Sequence, residues 1–234
     1  MMRCCKMVKV ISFCLWGDDP KYTRGAIANA KLALEIYPGW ECWFYCRKSV
    51  PIDVQSILAV MESCRVIYVD KPGSWTGMFD RFLPGIDSGV ECFISRDCDS
   101  RLTTREAEAV NQWLVSSKGF HAMRDHPQHS VPILGGMWGM KRGAMSPMVL
   151  EHSMEQWQKE DRWQTDQEWL AAEVWAQYRD DFMCHDGGGF WLHIYHGFGF
   201  PTAREASGEF VGATYDADGV IDAAQVAELK RVTG

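Results

Sequence analysis

Short apolar runs alternate along this chain with longer stretches that carry a single apolar stripe. Residues 8–15 (VKVISFCL) have the length and content of a buried strand, and Gly17-Asp18-Asp19-Pro20 closes it as a loop. Residues 22–36 then place Ile27, Ala30 and Leu34 at helical spacing, with Ala33 near the same stripe, and Tyr37-Pro38-Gly39 ends the helix. The unit repeats. Residues 41–46 predict a second strand, 51–63 a helix with Ile52, Val54, Ile57, Leu58 and Met61 turned inward, and 65–69 a third strand. Such alternation predicts an α/β fold: one domain with a mostly parallel central sheet flanked by helices, and ligands in the crevice beyond the carboxyl ends of the strands.

The second half is less regular. A short helical piece (75–83) precedes a strand at 91–95, and Thr103 with Glu106 three residues on predicts a capping box for a helix carrying Ala107, Val110, Trp113 and Leu114. A further strand follows at 120–123, then a Gly-rich strand at 133–140. Helices are expected at 147–159 and 165–178, the second capped by Thr165 with Glu168 three on, and a last core strand at 181–184. Beyond it the pattern weakens, with a final helix at 223–232. We divide the chain into a main domain, 1–212, and a tail, 213–234.

Composition narrows the function. The 234 residues are 47% hydrophobic and 12% aromatic, enough for a large core, and the net charge of -7 comes without a basic block, so nucleic acid is excluded as the main partner. Arg3, Lys6 and Lys9 ahead of residues 10–16 mimic the start of a signal peptide, but the apolar run is too short and ends without a cleavage pattern. No segment approaches a membrane-spanning length. Nine cysteines, an odd number with several inside apolar runs, fit a reducing compartment, and we expect a cytoplasmic protein. Cys42 and Cys46 lack a second ligand pair for zinc. Asp216-Ala217-Asp218-Gly219 copies the middle of a calcium loop, but Thr214 and Gln225 stand where its first and last acids belong.

The chemistry concentrates at Arg96-Asp97-Cys98-Asp99-Ser100-Arg101, where the 91–95 run ends abruptly in two carboxylates between two arginines. Carboxylates two residues apart can point the same way, and such oxygens suit Mg²⁺ or Mn²⁺, whose shell a phosphate ligand would complete. Arg81, Arg96 and Arg101 are the cations available to a diphosphate. At the end of the first strand, beside Ser12, Trp16 and Tyr22 offer an aromatic face on which a flat ring of the ligand could stack. Trp16, Trp75 and Trp138 sit near loops facing the crevice, while the tryptophans at 113, 157, 163, 169 and 175 read as core.

An apolar strand ending in Asp97-Cys98-Asp99, then Gly135-Gly136, then Asp166-Gln167 opening a helix, then His185-Asp186-Gly187-Gly188, in that order, resembles the GT-A glycosyltransferases, in particular the glycogenin and lipopolysaccharide galactosyltransferase group. The longer run that includes Arg124-Asp125-His126-Pro127 and Gly135-Gly136-Met137-Trp138-Gly139 resembles glycosyltransferases of bacteria and large DNA viruses. The likeness covers residues 8–212. It implies a metal-dependent transfer of sugar from a nucleotide-diphosphate sugar, a UDP-sugar, to a glycan or other hydroxyl acceptor. Asp99 would bind Mn²⁺ or Mg²⁺ most directly, with Asp97 assisting at metal or ribose and His185 as the third ligand; His196, before Gly197-Phe198-Gly199, is the rival. Asp166 and Gln167 would lie at the reaction centre, and Asp125 or Asp166 would serve as base if configuration inverts. Two other readings stay open: a metal-dependent hydrolase using Asp125, His126 and His129, and a non-catalytic carbohydrate-binding protein.

Overall fold

The structure, a computed structural model, describes residues 7–233. These residues form one seven-stranded sheet in the order β3-β2-β1-β4-β6-β5-β7. Its first half is two strand-helix units: β1 (Val8–Leu15), α1 (Pro20–Ile36), β2 (Glu41–Arg47), α2 (Ile52–Ala59) and β3 (Cys64–Val69). A 3-10 helix, Trp75–Ile86, leads into β4 (Val90–Arg96), then α3 (Thr104–Val115), β5 (Phe120–Arg124), β6 (Met137–Lys141) and α4 (Pro147–Trp157). The next helix is composite: α5 (Thr165–Trp169), a π-helical turn over Leu170–Trp175 and α6 (Ala176–Tyr178). β7 (Phe182–Asp186), α7 (Leu192–Tyr195) and α8 (Ala223–Thr233) complete the order. All pairings are parallel except those of β6, which runs antiparallel to both β4 and β5.

The strands read as unbroken apolar runs because the sheet is covered on both faces. Ile11, Phe13 and Leu15 of β1, Cys42, Phe44 and Cys46 of β2, and Cys92 and Ile94 of β4 join α1, α2 and α3 in one core. The alternate residues, Val10, Trp43, Tyr45 and Phe93, join the 3-10 helix, α4 and the composite helix through Phe79, Phe82, Leu150, Trp169 and Val174 in the other.

Four local expectations are corrected. Ile52 and Ile57 are exposed and only Leu58 of α2 is buried, because α2 lies over the sheet margin, where β3 is the edge strand. Residues 133–136 do not extend β6; they form a turn closed by the Met137 amide on the Leu134 carbonyl at 3.0 Å. Thr103 caps α3 by accepting from the Glu106 amide, but the Glu106 carboxylate turns to Arg96 instead of returning to the cap. Gln164, with φ 66°, occupies the cap position of α5, and the Thr165 hydroxyl donates to the Arg162 carbonyl instead.

The segment after β7 runs from the end of that strand, where Phe198 bridges His185, back to the acidic loop after β4. Phe210, Ala213 and Leu229 share a small core, and the Tyr215 amide donates to the Asp99 carbonyl at 2.8 Å. Arg101 stacks on the Tyr215 ring at 4.8 Å, and the 216–219 turn folds on itself through Asp216 Oδ1, which accepts from the Asp218 and Val220 amides. Among the described residues no helix is long and apolar enough to cross a membrane.

Candidate functional site

The sheet brings three loops to one place. Ser12 of β1 lies opposite Ser95 of β4, so the loops that follow these strands emerge side by side. β6 runs the other way with Met137 opposite Arg96, so the turn that precedes it arrives at the same end. Gly135 and Gly136 are required there: a Cβ on Gly136 would strike the Asp97 carboxylate, and one on Gly135 would strike Arg81 and Asp166. From the opposite side α1 presses on the acidic loop. Asn29 donates to the Ser100 carbonyl at 2.9 Å and accepts from the Leu102 amide at 3.1 Å, and Gly25 leaves room for the Cys98 carbonyl.

These elements enclose a cleft of about 360 Å³. Its walls are Trp16, Tyr22, Trp75, Met78 and Trp163, and its polar groups are Arg81, Asp97, Asp99 and Gln167. Trp16 and Trp75 meet edge to face at 6.3 Å. A smaller recess of about 110 Å³ adjoins it at Met78, Arg81, Asp97 and Gln167 and continues to Ser100, His129 and Gly212.

At the meeting point Arg81 bridges two carboxylates. Its guanidinium pairs with Asp97 and, at 2.8 Å, with Asp166. Arg81 and Asp166 are buried, whereas the Asp97 side chain is 43% exposed. Burial pushes the Asp166 carboxyl up from its usual range, and Arg81 opposes that rise. Arg81 Nε and Asp166 Oδ1 have no hydrogen-bond partner among the described residues. Asp99 is pushed up by burial and by the neighbouring Asp97, against the pull of Lys21, whose ammonium lies 2.7 Å away. Cys14 also lines the cleft, but burial raises its thiol to about 12, so it is no nucleophile at neutral pH.

Of the residues singled out from sequence, Trp16, Tyr22, Arg81, Asp97, Asp99, Gln167 and, behind them, Asp166 gather here. Others lie elsewhere. Ser12 is buried within β1 and is not among the lining residues. Arg96 follows the parity of Cys92 and Ile94 onto the other face of the sheet, where it pairs with Glu106 at 2.9 Å. Arg101 braces its own loop by donating to the Ser100 carbonyl. Asp125 is enclosed by Arg105 and Arg204, both at 2.8–2.9 Å, and by the Val211 amide, which leaves it no free face for base chemistry.

His185 is buried, with one ring nitrogen 2.8 Å from His121 and the other 2.8 Å from Gln112. Both ring nitrogens are engaged within the core, one donating to the Gln112 side-chain oxygen, and desolvation lowers the ring to about 4, so it is held neutral. His196 is exposed beyond α7. Among the described residues no three His, Cys, Asp or Glu side chains converge to hold a metal, which removes Asp97-Asp99-His185 as a preformed set and Asp125-His126-His129 as a zinc site. His126 and His129 instead bond Gln225 and the Asp125 amide.

Trp138, expected at the crevice, is fully buried against Phe82, Phe93 and Trp169. Trp163, expected in the core, is 60% exposed and lines the cleft. Lys21 and Met78 carried no signal in the sequence, since neither belongs to a motif.

Two carboxylates of the acidic loop open onto the cleft, and this donor set fits one kind of cation. Mg²⁺ or Mn²⁺ is commonly held by one or two carboxylates, with phosphate oxygens and water completing the shell, so the lack of a third protein ligand is compatible with it. A structural zinc site is not.

No family model matches the chain, and no curated protein matches it in sequence. Solved structures do match in shape. A glycosyltransferase involved in glycosylation of the major capsid of PBCV-1 superposes with a TM-score of 0.50 at 16% identity, over 77% of this chain and 81% of the other. The 4-diphosphocytidyl-2C-methyl-D-erythritol synthase of Anaerococcus prevotii DSM 20548 superposes with a TM-score of 0.52 at 12% identity, over 78% and 89%. The chain therefore has the nucleotide-diphospho-sugar transferase fold, with the acidic loop after β4 at the mouth of its main cleft.

Proposed function

We propose that the protein is a glycosyltransferase that moves a sugar from a nucleotide-diphosphate sugar to a hydroxyl acceptor with the help of Mn²⁺ or Mg²⁺. One observation carries the reading: a single cleft pairs aromatic walls, Trp16, Tyr22, Trp75 and Trp163, with an acidic mouth, Asp97 and Asp99. Flat apolar faces suit a nucleobase and sugar ring, and paired carboxylates suit a cation shared with a diphosphate. Neither half alone selects a nucleoside diphosphate. Together they do.

The residues divide the work. The aromatic walls hold base and ribose. Asp97 and Asp99 would hold the cation, which when bound neutralises charge on the departing diphosphate. Arg81, locked by Asp166, fixes the rotamer of Asp97 and adds positive potential behind it. Gln167, which lines both cleft and recess, would orient the transferred sugar, while the buried Asp166 would act through Arg81. The recess, on the far side of Asp97 and Arg81, is where the acceptor would approach. The reading is independent of which base the donor carries; UDP is the first donor to test. The cytoplasm, where nucleotide sugars are abundant and the cysteines stay free, suits this chemistry.

The synthase neighbour, by its name, makes a diphosphocytidyl compound, so nucleotidyl transfer is the second reading the fold admits. Products separate the two. The full chain is incubated with Mn²⁺ and a panel of nucleotide sugars, and released nucleoside diphosphate is measured. Release that is lost in Asp97→Asn and Asp99→Asn supports glycosyl transfer. Pyrophosphate made from a nucleoside triphosphate and a sugar phosphate would replace it with nucleotidyl transfer, and absence of binding across the panel would overturn both.

A further inference from the structure

Lys21 sits in the first turn of α1, beside the capping Asp19, at the positive end of the helix dipole, which disfavours a cation. That turn holds no acidic residue. A charge of unfavourable sign at this point calls for a partner, and the partner is Asp99, whose carboxylate lies 2.7 Å from the ammonium. Each carboxylate of the acidic loop thus has one internal cation, Arg81 on Asp97 and Lys21 on Asp99. The two cations differ in freedom. Arg81 is buried and tied on its other side to Asp166. Lys21 is about one-third exposed at its side chain, has no second carboxylate, and carries its ammonium 5.3 Å from the ring of Tyr22, a wall of the cleft.

On the reading that Asp99 holds a divalent cation, we propose that Lys21 is an exchangeable counter-ion. It neutralises Asp99 while the cation is absent and yields the carboxylate when the cation arrives. Two carboxylates two residues apart, one of them nearly buried, repel each other, and an uncompensated charge there would push the loop out of shape. The lysine keeps the loop formed in the metal-free protein. Its flexible four-carbon stem lets it leave, which a guanidinium locked between two acids does not permit. Once displaced, the ammonium stays beside the Tyr22 ring, at the wall of the same cleft.

The test uses the full chain, with Mn²⁺ binding followed by calorimetry in wild type, Lys21→Met, Lys21→Arg and Asp99→Asn, and reductive methylation of Lys21 followed by mass spectrometry with and without Mn²⁺. Lys21→Met is expected to bind Mn²⁺ about fivefold more tightly, because no ion pair has to be broken first, while Lys21→Arg gains nothing. In wild type, Mn²⁺ is expected to speed methylation of Lys21, and in Asp99→Asn the amine is fast with or without Mn²⁺. The methylation arm needs no lysine variant, so it decides even if Lys21→Met fails to fold. Equal Mn²⁺ affinity in wild type and Lys21→Met, or a methylation rate indifferent to Mn²⁺, overturns the counter-ion role alone. Binding of Mn²⁺ by none of the proteins overturns the metal reading and this role with it.

Discussion

Replacing Arg81 with methionine keeps an unbranched apolar stem of similar reach and removes the charge between Asp97 and Asp166. The two carboxylates feel the loss differently. The Asp97 side chain is 43% exposed and water takes over its partner's place, whereas Asp166 has a fully buried side chain and is left with an uncompensated charge. Breaking a buried pair in this way costs about 3–5 kcal/mol. For a domain of this size each kcal/mol lowers Tm by about 2–4 °C, so the variant should melt about 6–20 °C below wild type.

The deficit depends on pH, with a definite sign. Burial already holds Asp166 above its ordinary 3.8 even with Arg81 beside it, and without Arg81 the rise is larger. A carboxyl raised in the folded state keeps its proton there, so the variant is least impaired near pH 4. The impairment grows as the pH climbs through that higher value. Urea unfolding of wild type, Arg81→Met and Arg81→Met/Asp166→Leu at pH 5 and pH 7.5 measures this. The double variant, which removes the stranded charge, should recover at least about 2 kcal/mol of the loss at pH 7.5. A single-variant deficit below about 1 kcal/mol at pH 7.5, or one that does not change with pH, would refute the bridging role of Arg81.

Other expectations follow from the same geometry. Asp99→Asn and Asp97→Asn should each lower sugar transfer by about 10²–10³-fold, read as nucleoside diphosphate release with saturating Mn²⁺. Trp163→Ala should leave Tm within about 2 °C and weaken nucleoside diphosphate binding by about 1–3 kcal/mol if the ring stacks on the base, whereas Trp138→Ala should cost about 3–5 kcal/mol of stability; differential scanning fluorimetry with and without UDP reads both. Gly25→Ala, favourable for an isolated helix by about 1 kcal/mol, should destabilise by about 1–3 kcal/mol because the new methyl meets the Cys98 carbonyl, and urea unfolding decides the sign. His185, held neutral with its ring lowered to about 4, binds a proton more readily in the unfolded chain, so stability should fall as pH drops from about 6.5 to 4. His185→Gln should flatten that slope in a pH series of Tm.

The strands were readable because a sheet covered on both faces turns each of them into a continuous apolar run, and the acidic loop was readable because such a run ends there without transition. What decided the site beyond that was direction. Arg96 shares strand parity with Cys92 and Ile94, so its side chain joins the α3 face, and that parity was available in the sequence. His185 likewise alternates with Cys184, on the face where Gln112 and His121 meet it. Trp138 and Trp163 could not be sorted by spacing. One lies on a central antiparallel strand and the other in the turn before α5, and only the packing of the 3-10 helix against β6 and α5 distinguishes interior from rim. Lys21 was invisible because its partner is brought to it by the β1–β4 register.

The bond from the Tyr215 amide to the Asp99 carbonyl has a consequence for how the protein comes off the ribosome. The acidic loop is synthesised about a hundred residues before the strand of chain that completes its backbone. At about 5–20 residues per second it waits on the order of ten seconds in that state. During that interval Arg101 lacks the aromatic ring it stacks on and the recess lacks the wall at Gly212. A nascent chain halted just past residue 200 would hold the strands of the sheet around an unfinished cleft, so the acidic loop and the recess reach their final form only after the 210–215 segment has emerged.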